Sequence, residues 1–244
     1  MGQTGRNFLI GLNEVDGKKK KNRILKGERP LSPVRLGNHV LVAYGRKGRG
    51  VVTMLKGKSL KRQWHHIVDS AVEEPLTLDE TKSFLYFKTK KHLHRLRLFE
   101  KPYEGKRKKS VSWGDFRTEL PAPTSRFLLT ATSLYMTALD EKDGRITVLS
   151  LPVGLNSGRE RFTARVFKER HDDAGDVGGA AAPIVQEMKC YIPLGQFLYI
   201  LQRQPRDSAH KIRYPAKIVD TTVHAGKLFI VLADGRIYSG MLPE

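Results

Sequence analysis

Residues 83–101 read SFLYFKTKKHLHRLRLFEK. In FLYF (84–87) side chains alternate along an extended chain, so Phe84 and Tyr86 oppose Leu85 and Phe87 and both faces are apolar. A strand of that kind is buried on both sides. The polar stretch 88–91 then interrupts it and HLHRLRLF (92–99) resumes an extended pattern, so the whole reads as a β-hairpin. Six of the fourteen residues 88–101 are Lys or Arg and two more are His. In strict alternation His92, His94, Leu96 and Leu98 share one face and Leu93, Arg95, Arg97 and Phe99 the other, which puts charge on both. A β-bulge at His94-Arg95 is expected to remove the conflict, turning Leu93, Leu96 and Leu98 inward and His92, Arg95 and Arg97 outward.

The same strand–turn–strand unit recurs on either side of this stretch. HVLVAY (39–44), FLLTA (127–131), QFLYIL (196–201) and KLFIVLA (227–233) are short apolar runs rich in β-branched and aromatic residues. Several lead through a turn to a second strand: GRGVVTML after Tyr44, GRITVLSL after Asp143 and GRIYSGML after Asp234, with Asp143-Gly144 and Asp234-Gly235 as the strongest turn signals. Helical spacing is nearly absent. HIVDSAV (66–72) and KIVDTTV (217–223) echo one another, and PIVQEM (183–188) leads into a strand in a similar way.

This rhythm, with apolar strands beginning near residues 39, 84, 127, 196 and 227, resembles the blades of a β-propeller, in which four-stranded units pack around an axis. The resemblance rests on strand spacing over about residues 38–243, since no repeated Trp-Asp or double-Gly motif recurs. It implies an all-β fold of antiparallel hairpin repeats, a five-bladed or incomplete propeller in which the strand near 39–44 could complete the last blade. An antiparallel barrel or sandwich, or two small β domains, would also fit the pattern. The expected organisation is a disordered basic tail over 1–36, ending in GERPLSP, and an all-β domain over 37–244. RHDDAGDVGGAAAP (170–183), rich in Gly and Ala, is expected to be a flexible surface insertion.

The chain is long enough to bury one or two cores: 244 residues, 39% hydrophobic and 8% aromatic. One cysteine, Cys190, excludes an internal disulfide and any Cys-based zinc cluster. No apolar run approaches the roughly 20 residues of a membrane span, so a soluble or peripheral protein is expected. The net charge of +19 is unevenly placed: residues 1–62 hold sixteen Lys/Arg against three acids, and residues 82–109 hold eleven against two. Charge confined to a tail and one hairpin is the footprint of an extended anion rather than a general solubility device.

The candidate contacts follow from that distribution. In the tail they are Lys18, Lys19, Lys20, Lys21 and Arg23; in the turn GRKGRG (45–50) they are Arg46, Lys47 and Arg49, whose flanking glycines let a backbone approach phosphates. The basic hairpin adds Lys88, Lys90, Lys91, Arg95 and Arg97, and the loop after it adds Lys106, Arg107, Lys108 and Lys109. Tyr103 and Trp113 flank that last run, as aromatics that stack on unpaired bases or anchor the loop. Lys and Arg neutralise phosphates with counterion release and exposed aromatics stack on unpaired bases, a combination that favours RNA or single strands. KKKKNR and GKRKKS look like nuclear-import signals. His92 and His94 lack a carboxylate or cysteine at supporting spacing, so no metal is expected, and no P-loop, nucleophile elbow or HExxH is present. Asp69 and Asp220 in the IVD echoes are the only repeated carboxylates and are assigned to turns. The expectation is a non-catalytic RNA-binding component or assembly factor of a large ribonucleoprotein, without a cofactor. It would have protein partners there and reside in the nucleus or nucleolus or on the ribosome. The alternative is a peripheral matrix or adaptor protein on anionic membrane, viral origin included, for which MGQT at the start is the specific hint.

Overall fold

The computed structural model describes residues 7–12, 19–25, 27, 29–98, 115–120, 123–140, 142–153, 161–173, 176–178, 180–186, 189–202 and 208–241. Its chain divides into two compact units, Met1–Glu119 and Leu120–Glu244.

Unit one opens with a two-stranded sheet, β1 (Asn7–Leu12) antiparallel to β2 (Lys19–Leu25). Two four-stranded meanders follow. The first is β3 (Val34–Leu36), β4 (His39–Arg46), β5 (Arg49–Lys56) and β6 (Arg62–Val68) in sequential order. The second is β7 (Thr77–Leu78), β8 (Phe84–Lys88), β9 (His92–Arg97) and β10 (Asp115–Glu119). Leu41, Ala43, Val52, Trp64 and Val68 of the first meander pack on Leu85, Phe87 and Leu96 of the second, with Val72 and Leu76 of the connecting loop between them. Every residue of β8 is buried, as the two-faced apolar pattern of FLYF requires.

Unit two repeats the scheme. β11 (Leu128–Leu129), β12 (Ser133–Leu139), β13 (Arg145–Pro152) and β14 (Thr163–Arg170) form one meander. β15 (Ile184–Val185), β16 (Lys189–Leu194), β17 (Phe197–Gln202) and β18 (Ser208–Arg213) form the next. β19 (Ile218–His224), β20 (Lys227–Leu232) and β21 (Ile237–Met241) form a last sheet of three strands. The two central strands of the middle sheet, β16 and β17, pack on both faces. Cys190, Ile192, Leu194, Tyr199 and Leu201 meet Leu139, Ile146 and Val148, while Tyr191 and Leu198 meet Ile218, Leu228, Ile230 and Leu232.

The fold is thus all-β and built from consecutive antiparallel meanders, and among the described residues none of these sheets closes into a barrel. Three expectations change. The 1–36 segment, expected to lack structure, contains the β1–β2 strand pair, because NFLIGL is an apolar run long enough to pair, and β3 begins inside it. The described part of 170–183 is not a loose surface insertion: Val177, Ala180 and Ala181 are fully buried, their small side chains letting the backbone lie close on the sheet. The strand at 39–44 does not complete the last sheet, since β4 is paired on both edges by β3 and β5.

Candidate nucleic-acid interface

The β4–β5 hairpin closes through a two-residue turn, Lys47-Gly48, with positive φ at both residues (52° and 74°), the type I′ geometry that matches strand twist. Arg46 pairs with Arg49 across it, so GRKGRG puts three cations at one exposed tip. Gly50 seats the tip on the loop after β6. A Cβ there would come 2.6 Å from the Ser70 carbonyl oxygen, 2.7 Å from Val68 and 3.0 Å from Val72. Gly27, two residues after β2 ends, leaves no room for a side chain against Tyr44. The chain that leaves the basic strand β2, whose sequence holds Lys19, Lys20, Lys21 and Arg23, therefore passes this hairpin at Gly27. Lys18 lies outside the described residues.

The β8–β9 turn reaches the same loop. Val72 bridges Thr89, and the Glu73 amide donates to the Lys88 carbonyl at 2.9 Å. Thr89 closes the turn by donating its amide to the His92 carbonyl at 2.9 Å, which leaves Lys90 and Lys91 exposed at the tip. A single loop, residues 69–76, thus holds two basic tips at one edge of unit one. Arg117 on β10 joins them, 3.6 Å from Asp69. Nothing in the local sequence marked Arg117; only its register opposite His94 brings it here. Asp69 and Glu73 are the exposed carboxylates of the connecting loop, set among five cations of the two tips.

Two of the expected contacts are interior. Lys88 is 3% exposed and its ammonium sits 2.6 Å from the Glu74 carboxylate, itself buried. Arg95 is 4% exposed, its guanidinium 5.3 Å from the centre of the Phe84 ring and 4.8 Å from that of Phe116. The reason is register. β9 pairs with β8 and with β10 without a shift, so the bulge at His94-Arg95 does not exist and strict alternation holds. His94 and Leu96 then point to one face and Leu93 and Arg95 to the other, and all four are buried. The charge is tolerated because aromatic faces attract a guanidinium. His94 stacks on Phe87 at 4.8 Å between ring centres and lies 3.4 Å from the Thr89 hydroxyl, so it belongs to the core rather than to a basic face. Arg97 is exposed, but at the opposite end of β9 from the tip. Tyr103, Lys106, Arg107, Lys108, Lys109 and Trp113 lie outside the described residues.

The cations leave a mark on nearby imidazoles. His65 is held below its ordinary value first by burial and then by Arg62, Arg46 and His66. His92 is lowered first by burial and then by His94, Arg117 and Lys91, with Glu119 opposing. Among the described residues no group of three or more His, Cys, Asp or Glu is placed to hold a metal ion.

Unit two has one further cluster of titratable side chains. His171 donates or accepts at 3.0 Å with the Tyr199 hydroxyl and lies 3.1 Å from Asp176, whose other oxygen is 3.5 Å from the Lys217 ammonium. The Asp176 carboxylate occupies the place a side chain on Gly195 would take. His171 and Tyr199 are buried, so the cluster is a clamp between chain segments.

No protein-family model matches the sequence, and no curated protein matches it. Solved structures do. BamB from Moraxella catarrhalis aligns over 96% of this chain and 67% of its own, at 15% identity and a TM-score of 0.60. Hsv2 from Kluyveromyces lactis aligns over 92% of this chain and 64% of its own, at 10% identity and a TM-score of 0.59. The Swd1 β-propeller domain from Myceliophthora thermophila aligns over 87% of this chain and 68% of its own, at 11% identity and a TM-score of 0.52. The chain spans about two thirds of the length of each. At these identities the likeness establishes the fold alone: consecutive blade-like sheets of the β-propeller kind.

Proposed function

We propose that this chain is a non-catalytic RNA-binding component or assembly factor of a large ribonucleoprotein, ribosomal or nucleolar, which grips the phosphate backbone and works alongside other proteins of the assembly. The observation that carries the reading is the convergence of the Arg46–Arg49 and Lys90-Lys91 tips on one loop. The cations of the two tips stand on hydrogen-bonded two-strand turns, so the backbone beneath them needs little ordering to meet an anion. No exposed aromatic side chain accompanies them among the described residues of the two tips, which favours backbone charge over base identity.

The test is binding of a mixed-sequence RNA by fluorescence anisotropy against salt. Affinity is expected to fall at least about tenfold between roughly 50 and 200 mM salt. Lys47→Glu with Lys91→Glu should weaken binding and reduce the logarithmic salt slope by about 2, one for each phosphate no longer neutralised, with an unchanged melting temperature. Binding that ignores salt, or a double variant that binds normally, would overturn the reading. Vesicles of anionic lipid in the same assay separate it from the membrane-adaptor alternative, which requires them to compete with RNA at equal charge.

A further inference from the structure

The last sheet ends in an edge strand, β21, that differs from the fourth strand of each four-stranded sheet. Each of β6, β10, β14 and β18 carries Lys, Arg or His together with other polar groups, the usual protection of a sheet edge against pairing. β21 is Ile237-Tyr238-Ser239-Gly240-Met241, with no charge and no proline. All five residues are exposed, Ile237 at 66% and Met241 at 70%. Among the described residues nothing pairs with its outer edge.

From these features we infer that β21 is a homodimer edge: two copies of the chain pair antiparallel through β21 about a two-fold axis at Ser239. Self-complementarity selects a second copy over another partner. With Ser239 facing Ser239 of the copy, Ile237 meets Met241 and Tyr238 meets Gly240. Apolar thus faces apolar on one side, and on the other a ring covers a glycine, a favoured cross-strand combination. The backbone agrees. The Leu232 amide donates to the Arg236 carbonyl at 2.9 Å, and hydrogen-bonded pairs alternate along an antiparallel ladder. Tyr238 and Gly240 therefore turn their amides and carbonyls toward β20, while Ile237, Ser239 and Met241 turn theirs outward. In the register centred on Ser239, each outward residue meets an outward residue of the copy. Charge does not oppose the approach, because residues 120–244 hold sixteen Lys/Arg against thirteen acids, and the excess lies in unit one. The isologous pairing closes on itself and stops at two.

The experiment uses the whole chain, freed of nucleic acid by nuclease at high salt. Light scattering over a range of concentrations is expected to show twice the monomer mass, and Ile237→Lys with Met241→Lys to return the monomer mass with an unchanged melting temperature. In parallel, Ser239→Cys should oxidise to a covalent dimer, since facing Cα atoms in a hydrogen-bonded pair lie about 5.5 Å apart, within disulfide reach. Val223→Cys, on the exposed far strand of the same sheet, should not. Cys190 is buried and does not compete. A monomer at every concentration overturns the inference, whether the thiol introduced at position 239 reacts freely with maleimide or is shielded by the chain's own segments.

Discussion

Lys88 ends β8 inside the protein with its ammonium on the Glu74 carboxylate, while Lys90, two residues on, stands in solvent at the turn. Substitutions at the two should separate cleanly. Lys90→Glu is expected to change stability by no more than about 0.5 kcal/mol, as exposed substitutions usually do. Lys88→Met strands a buried carboxylate and should cost roughly 3–5 kcal/mol, whereas adding Glu74→Leu to it should recover most of the loss. Urea denaturation of the single and double variants measures both, and equal losses in Lys88→Met and the double variant would refute the pairing. Arg95→Glu should fail to fold, because it exchanges a cation between two ring faces for an anion that those faces repel.

Strand β9 shows what alternation can and cannot reveal. Its pairing is regular on both sides, so Leu96 is fully buried, and Leu96→Ala should cost roughly 2–5 kcal/mol in the same assay. Gly50→Val should be strongly destabilising although the neighbouring turn is exposed, since Gly50 is buried and its side chain would have to displace the Ser70 carbonyl and lift the basic tip from its loop. A loss of RNA affinity together with stability would confirm that the tip needs its seat. Strand identity and turns were legible in the sequence because FLYF, KLFIVLA and the Asp-Gly turns are local signals. Equivalence of strands was not. The run at 127 is the short first strand of its sheet, those at 39, 84 and 227 are second strands, and that at 196 is a third. The IVD echo likewise joins the end of a fourth strand at 66–72 to a first strand at 217–223. Position within a sheet is set by pairing between runs, which a one-dimensional period does not contain. The interior charges at Lys88 and Arg95 were misplaced for the same reason: Glu74, Phe84 and Phe116 are partners supplied by other strands and loops.

Across the molecule, charge is divided by unit, and that division makes pH a handle on function. His65 and His92 are held below the ordinary 6.5 in the folded protein. The fold therefore has its full contribution from them above that value, and loses it as pH falls below 6.5 through the lowered values. A phosphate chain laid over Arg46, Arg62, Lys91 and Arg117 would offset the cations that oppose protonation and raise both histidines. RNA binding should accordingly take up protons and tighten as pH falls from about 7.5 to 5.5, while the free protein becomes less stable. Anisotropy at a series of pH values, with His65→Gln and His92→Gln flattening the dependence, checks the sign; affinity that weakens on acidification would refute it. Unit two, nearly neutral, has a different concern. A row of sheets in which each touches only its neighbours tends to come apart one sheet at a time. Asp176 touches the segment that ends one meander through His171, the hairpin turn of the next at Gly195, and the lead-in to the last sheet through Lys217. One carboxylate thus ties together three successive segments of the chain, so Asp176→Ala is expected to loosen all three at once and to show as faster amide hydrogen exchange in the middle sheet and in both segments that flank it.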